Sequence, residues 1–246
     1  MQATIDLNCD MGEGAASDAD VMPWITSANI ACGAHAGDLP TMIDTIECAA
    51  GHGVAVGAHP GFFDLENFGR VERDVSPEEA ARLVVLQMEQ FFEVAGPAMR
   101  HVKLHGALYN QVSRDRRLAE AVTGELSRLW PDVILFALAG SQLARIGRAR
   151  GLRVAEEFFA DRSYEPDGTL TPRTEPHAVL TDAKTVVERV LRIAREGTVE
   201  TTGGTVLRIA AETVCLHGDG PKAVPLARRL RTELNKAGIA VAPVAM

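Results

Sequence analysis

Eight residues able to move protons, bind metals or balance charge fall at the ends of short apolar runs in this sequence. Asp10 closes "IDLNCD", His35 closes "NIACGAH", His59 closes "VAVGAH", and Lys103 and His105 lie in "HVKLHG". Asp161 follows "EEFFA", and His217 and Asp219 lie in "CLHGD". A histidine or carboxylate tuned toward neutrality can take a proton from water, which makes Asp10 and His105 the candidate general bases. Lys103 suits the stabilisation of negative charge on oxygen, as preorganised cations do in acyl transfer. Asp161 completes the candidate catalytic set. Asp10, His35 and His59 together make a common hydrolytic set for a divalent metal, although their spacing alone is not diagnostic.

The elements that position these residues follow from a period of two. Side chains along a strand point alternately to opposite faces, so each run sorts into two rows. Ile5, Leu7 and Cys9 share one row, and Asp6, Asn8 and Asp10 the other. Ala55, Gly57 and His59 share a row, as do Lys103 and His105, then Glu157, Phe159 and Asp161, then Cys215, His217 and Asp219. One row of each run is apolar; the other is small or polar and carries an ionisable group near its C-terminal end. In a barrel of parallel strands the outward row packs under helices, the inward row fills the centre, and the site lies at the C-terminal mouth. One strand-end histidine alone is more often structural. Convergence of many changes the balance, because buried charge without a partner costs several kcal/mol.

Other polar residues have plainer readings. Asp38, ahead of Pro40, reads as a helix cap, and Cys9, on the apolar row, as core. His52 and His101 fall at the opposite end of the strands and are set aside. "GDGP" at 218–221 is either an anion-holding helix start or a tight turn.

The 246 residues, 46% hydrophobic and 24% charged, predict a single barrel-sized α/β domain over 1–246. A formal net charge of −8 with no Lys/Arg cluster argues against a nucleic-acid partner. Four scattered cysteines without a CxxC predict reduced core thiols and a cytoplasmic protein. No export signal and no apolar run of about 18 residues points to a membrane. Seven strands are expected from "TIDLNCD", "SANIACGAH", "GVAVGAH", "HVKLH", "VILFALAG", "RVAEEFFAD" and "TVCLHGD". Helices are expected at 40–50, from the Ser76-Pro77-Glu78-Glu79 start to Gly96, and at 114–129, 140–149, 182–196 and 221–237. The tail "IAVAPVAM" suits a final strand or packed coil. Two long connections, 60–76 and 162–180, are of the length that usually carries function. No GxxxxGK[ST] nucleotide loop is present.

The segments "DLNCDMGEG", "SANIACGAHAGD", "GAHPGFFDLENFGR", "VKLHGALYN", "EFFADRSY" and "CLHGD", in this order over nearly the whole chain, resemble the LamB/YcsF family. The sequence departs from that pattern at Leu104, usually proline, at Val71, usually a second arginine, and at His177, usually glycine. The resemblance implies a distorted TIM-like (β/α) barrel of about seven parallel strands, similar to glycoside hydrolase/deacetylase folds. It also implies the role of the A subunit in ATP-dependent 5-oxoprolinase, which opens the 5-oxo-L-proline lactam to L-glutamate together with subunits B and C.

A five-membered lactam is a poor electrophile, so its amide oxygen needs activation by phosphorylation from ATP or by a metal. The expectation is that this chain receives the lactam or its phosphorylated form and activates water, with ATP handled by or shared with its partners. Arg70, Arg162 and Arg173, from the long loops, are candidates to hold a carboxylate or phosphate. Asn8, Asn110, His217 and Asp219 complete the candidate substrate contacts. Two other readings compete: a stand-alone metal-dependent deacetylase or amidohydrolase, and a non-catalytic subunit that carries substrate.

Overall fold

The structure, a computed structural model, describes residues 4–217 and 223–245. All seven expected runs form parallel strands: β1 (Thr4–Met11), β2 (Ser27–Ala31), β3 (Ala55–His59), β4 (Met99–Lys103), β5 (Ile134–Leu138), β6 (Arg153–Phe159) and, after a short hairpin, β9 (Thr213–Leu216). They pair in the order β1-β2-β3-β4-β5-β6-β9, and β9 pairs again with β1, so the sheet closes into a seven-stranded barrel. The hairpin joins β7 (Thr198–Glu200) to β8 (Val206–Arg208). The tail contributes β10 (Ala240–Val241), which adds to the start of β1. No helix among the described residues is long and apolar enough to cross a membrane.

The two rows of each strand face as their chemistry requires. Ile5, Leu7, Cys9 and Met11 are buried outward in the main apolar core with Val102, Leu135 and Ala137. Inside the barrel, Ile134, Phe136 and Ala155 form a separate small apolar cluster. The rest of the interior is polar, because Asp6, Asn8, Asn29, His101, Lys103, Glu157 and Thr213 are all buried there and bonded to one another.

The surrounding helices are α1 (Asp18–Val21), α2 (Leu39–His52), α3 (Pro77–Ala95), α4 (Gly106–Arg114), α5 (Arg116–Leu129), α6 (Gln142–Ala149), α7 (Ala183–Glu196) and α8 (Ala223–Lys236). Asp38 caps α2 by accepting from Thr41 N at 2.9 Å, and Ser76 and Glu79 form a reciprocal capping box on α3. The helix expected at 114–129 is α5, and α4, ahead of it, has no counterpart in the expected pattern. α4 starts directly after β4, and Asp115 ends it and caps α5 through the amides of Arg117 and Leu118. The β7–β8 hairpin has no counterpart in the expected pattern; its three-residue strands are too short for a visible alternation.

Candidate functional site

At the C-terminal end of β1 the chain turns back through Gly12 and Gly14, at φ 70° and 85°, a left-handed region that favours glycine. The turn places Glu13 over the barrel mouth, where its Oε1 lies 3.0 Å from His35 Nε2, 3.8 Å from His105 Nε2 and 3.9 Å from His59 Nε2. His35 comes from the loop after β2 and His59 is the last residue of β3. His105 is not a strand residue, because β4 ends at Lys103. It precedes α4, with its backbone N–H bonded to Pro60 O at 2.8 Å. Gly106 lets the chain turn there: its φ is 53°, and a Cβ would come within 2.6 Å of Gly69 O. The rings of His35 and His105 stack at 3.7 Å with 5° between their planes. Burial lowers the pKa of both, and neighbouring His59 adds to this, so the pair is held neutral.

His59 Nδ1 lies 2.7 Å from Lys103 O, and a carbonyl only accepts. The Nδ1 proton therefore donates there, and Nε2 faces Asp10 Oδ2 at 3.4 Å, where a second ring proton would form an ion pair. Burial works against a charged His59 ring, but the Asp10 carboxylate outweighs it and raises the pKa.

Beneath this cluster Lys103, 1% exposed, donates to Asp10 Oδ1 at 2.8 Å and Glu157 Oε1 at 3.0 Å. Cys215 Sγ, at 3.0 Å, and Asn8 Oδ1, at 3.3 Å, share what remains of its donors. The three ammonium protons are thus taken by protein atoms, and Lys103 acts on the cavity through its charge more than through a free N–H. Burial resists ionisation of both Asp10 and Lys103. Even so, the Asp10 pKa is held well below the usual range by His59 and Lys103, and that of Lys103 well above by Asp10, Cys215 and Glu157.

The donors beneath are fixed in direction. His101 Nε2 donates to Asn29 Oδ1 at 2.9 Å, and Asn29 Nδ2 to Asn8 Oδ1 at 2.7 Å and Asp10 Oδ1 at 2.9 Å. Asn8 Nδ2 donates to Glu157 Oε1 at 3.0 Å and Thr213 Oγ1 at 2.7 Å, and Tyr109 OH donates to Glu157 Oε2 at 2.7 Å. Asn8 is therefore part of the supporting network below the cavity and not part of its lining. His101, set aside as a wrong-end residue, is inside the barrel, stacked on Phe136 at 4.3 Å. Gly57 makes room for it: a Cβ there would lie 2.3 Å from the His101 ring.

Above lies a cavity of about 1000 Å³, lined among others by Asp10, Glu13, His59, Lys103, His105 and Tyr109, with Arg70, Asn110, Arg162, Arg173 and His217 around it. His217 Nδ1 donates to Asp161 Oδ2 at 2.8 Å, and Arg173 Nη2 reaches His217 Nε2 at 2.5 Å. Burial resists the Asp161 charge, but His217 and Arg173 together bring its pKa below the usual range. Arg162 spends Nε on Ala178 O and Nη2 on Thr171 O, so it ties down the 160–180 segment. The Arg70 guanidinium lies over the Phe68 ring at 4.6 Å. Asp219 and the "GDGP" turn fall outside the described residues.

The expected metal trio is thus joined differently. His35 and His59 meet with Glu13 and His105, their ligand atoms all within 4.8 Å of one another, while Asp10 is bound to Lys103 and Asn29 beside them. Glu13 was not singled out, and Glu157 was placed on an inward row without a role. The signal for Glu13 was in the sequence: an acid between two glycines just past a strand end.

Comparison with known proteins agrees with the barrel fold. A protein of Oceanobacillus iheyensis, named as the A subunit of 5-oxoprolinase, is 47% identical over 98% of this chain and 97% of its own length. One of the same name from Bordetella pertussis is 47% identical over 98% and 99%. The crystal structure of a lactam utilization protein from Thermus thermophilus superposes with a TM-score of 0.89 at 38% identity, covering 98% of this chain and all of that one. A family 4 carbohydrate esterase from Streptomyces lividans, at TM-score 0.52 and 8% identity over 99% of this chain and 93% of its own, shares the fold alone. The LamB/YcsF family model matches residues 5–246, and the chain belongs to that family.

Proposed function

We propose that this chain is the A subunit of a 5-oxoprolinase, opening the lactam of 5-oxo-L-proline to L-glutamate in concert with subunits B and C and with ATP. The names of its relatives support the substrate, and the missing GxxxxGK[ST] loop supports nucleotide handling by the partners. The observation that carries the hydrolytic role is an ionised Asp10 held by buried Lys103 at the wall of the cavity.

In this reading water adds to the lactam carbonyl carbon, the carbon–nitrogen bond breaks, and the nitrogen leaves with a proton as the amine of glutamate. Asp10 takes the proton of the water; held well below the usual carboxylate range by His59 and Lys103, it is a weaker base than one tuned toward neutrality and correspondingly ready to give the proton up again. Lys103 offsets negative charge growing on the carbonyl oxygen at short range in a site of low dielectric. The proton then passes from Asp10 to the departing nitrogen; Asp161 and Arg173 hold His217 at the cavity wall from its two sides, and Arg173 and Arg70 receive the substrate's anionic groups.

The test is glutamate formation from 5-oxoproline by the purified chain alone, with ATP, and with both partner subunits. Glutamate should appear only with partners and ATP, and Asp10→Asn should abolish it. Turnover by the chain alone without ATP would instead make it a stand-alone amidohydrolase. A complete complex carrying a folded Asp10→Asn at full rate would make it a substrate carrier.

A further inference from the structure

We propose that Glu13, His35, His59 and His105 hold one divalent transition-metal cation at the wall of the cavity. Geometry comes first. Three imidazole Nε2 atoms surround one carboxylate oxygen, Glu13 Oε1, at 3.0, 3.8 and 3.9 Å. These distances bracket the ~3.4 Å edge of a tetrahedron built on bonds of about 2.1 Å. Three nitrogens and one oxygen suit zinc, cobalt and other imidazole-seeking cations better than magnesium or calcium.

The second support is an orphaned atom. His59 is 1% exposed, and its Nε2 is buried without a hydrogen-bond donor facing it. Its Nδ1 proton is fixed on Lys103 O, the arrangement by which metal-binding histidines are oriented. The third support is charge. Asp10 and Glu157 pair with the buried ammonium of Lys103, and Glu13 adds a third carboxylate among the histidines, so three carboxylates share one ammonium. A divalent cation balances the two remaining negative charges and removes a burial cost that pairing with Lys103 leaves standing.

Glycines keep the set close. A Cβ on Gly61 would lie 2.8 Å from His35 Nδ1 and 3.2 Å from His105 Nδ1, and one on Gly69 would lie 2.8 Å from His35 Cβ. Glu13, His59 and His105 line the cavity, so a bound cation would meet substrate and act there as a Lewis acid. The inference deepens the hydrolytic reading of this cavity and rests on it for the role of the cation, but not for its binding.

Binding is read directly, apart from activity. Chelator-treated, dialysed protein titrated with Co²⁺ should take up one equivalent and develop visible absorption bands, and Zn²⁺ should displace it. Glu13→Gln with His105→Asn should weaken uptake more than about 100-fold, beyond the range seen for loss of a supporting partner alone. His52→Asn, on the exposed end of α2, should leave it unchanged. On the wild-type chain, ¹⁵N imidazole spectra should show three histidines shifting with one equivalent of Zn²⁺ while His52 and His177 keep their positions. No uptake, or uptake equal in wild type and double variant, overturns the proposal, as does a spectrum in which other histidines move instead. A chain that binds metal but forms no glutamate with its partners would keep this site and refute the substrate.

Discussion

Lys103 Nζ sits 2.8 Å from Asp10 Oδ1, and the same ammonium meets Glu157 at 3.0 Å, so one buried cation holds two buried carboxylates apart. Removing the cation leaves both charges unpaired. Lys103→Met should cost about 3–5 kcal/mol of stability in urea unfolding at neutral pH. Adding Glu157→Gln should restore part of that loss, because one orphaned charge is neutralised while the amide oxygen still accepts from one of its two donors, Asn8 Nδ2 or Tyr109 OH. Additive losses in the double variant would show that the two side chains do not share this charge balance.

Two titrations inside the barrel act in opposite directions. Burial raises the pKa of Asp6 from 3.8 to about 6, against hydrogen bonds from Thr213, Thr26 and Ser27. The folded state holds the extra proton, so this stabilisation is present below pH 3.8 and fades as the pH rises to about 6, by about 3 kcal/mol. Burial, with Lys103 and His59 nearby, lowers the pKa of His101 from 6.5 to about 3. There the unfolded chain takes the proton first, so stability is lost as the pH falls from 6.5 toward 3. Denaturant unfolding between pH 4 and 6.5 should therefore show Asp6→Asn steepening the loss toward acid and His101→Gln flattening it. Unchanged slopes in both variants would exclude these groups as the source.

His177 adopts φ 65°, in the left-handed region that favours glycine. A β-carbon in the left-handed region costs about 1–2 kcal/mol, part of which glycine's larger unfolded-state entropy offsets. His177→Gly should raise stability by up to about 1 kcal/mol, seen as a higher urea midpoint with the same slope. A lower midpoint would mean that the side chain, not the backbone, decides this position.

Arg173 reaches the cavity by way of His217, which Asp161 fixes from the other side. In the reconstituted complex Arg173→Gln should raise KM about tenfold, the loss of one charged hydrogen bond, with a smaller change in kcat. An equal fall in kcat at unchanged KM would move Arg173 from holding substrate to the bond-breaking step.

Much of the barrel was legible because closure demands that small or polar residues alternate with apolar ones on each strand. Asp10, His59, Lys103 and Glu157 follow from that alternation alone. His105 was placed by the same rhythm, although its backbone has already left the sheet for α4. Glu13 lies outside the alternation, because two positive-φ glycines, not a strand, bring it over the mouth. His101 looked like the wrong end because depth inside a closed barrel is set by strand stagger, which one sequence does not display. The hairpin of β7 and β8 was too short to announce itself.

Lys103 governs two neighbours by two different parts of itself. Its ammonium sets the charge of Asp10, while its main-chain carbonyl decides which nitrogen of His59 carries the proton. Substitution can delete the first and leave the second in place. Any variant at this position thus separates charge from tautomer, and a chain that keeps strand register keeps a correctly presented His59 whatever side chain follows Val102.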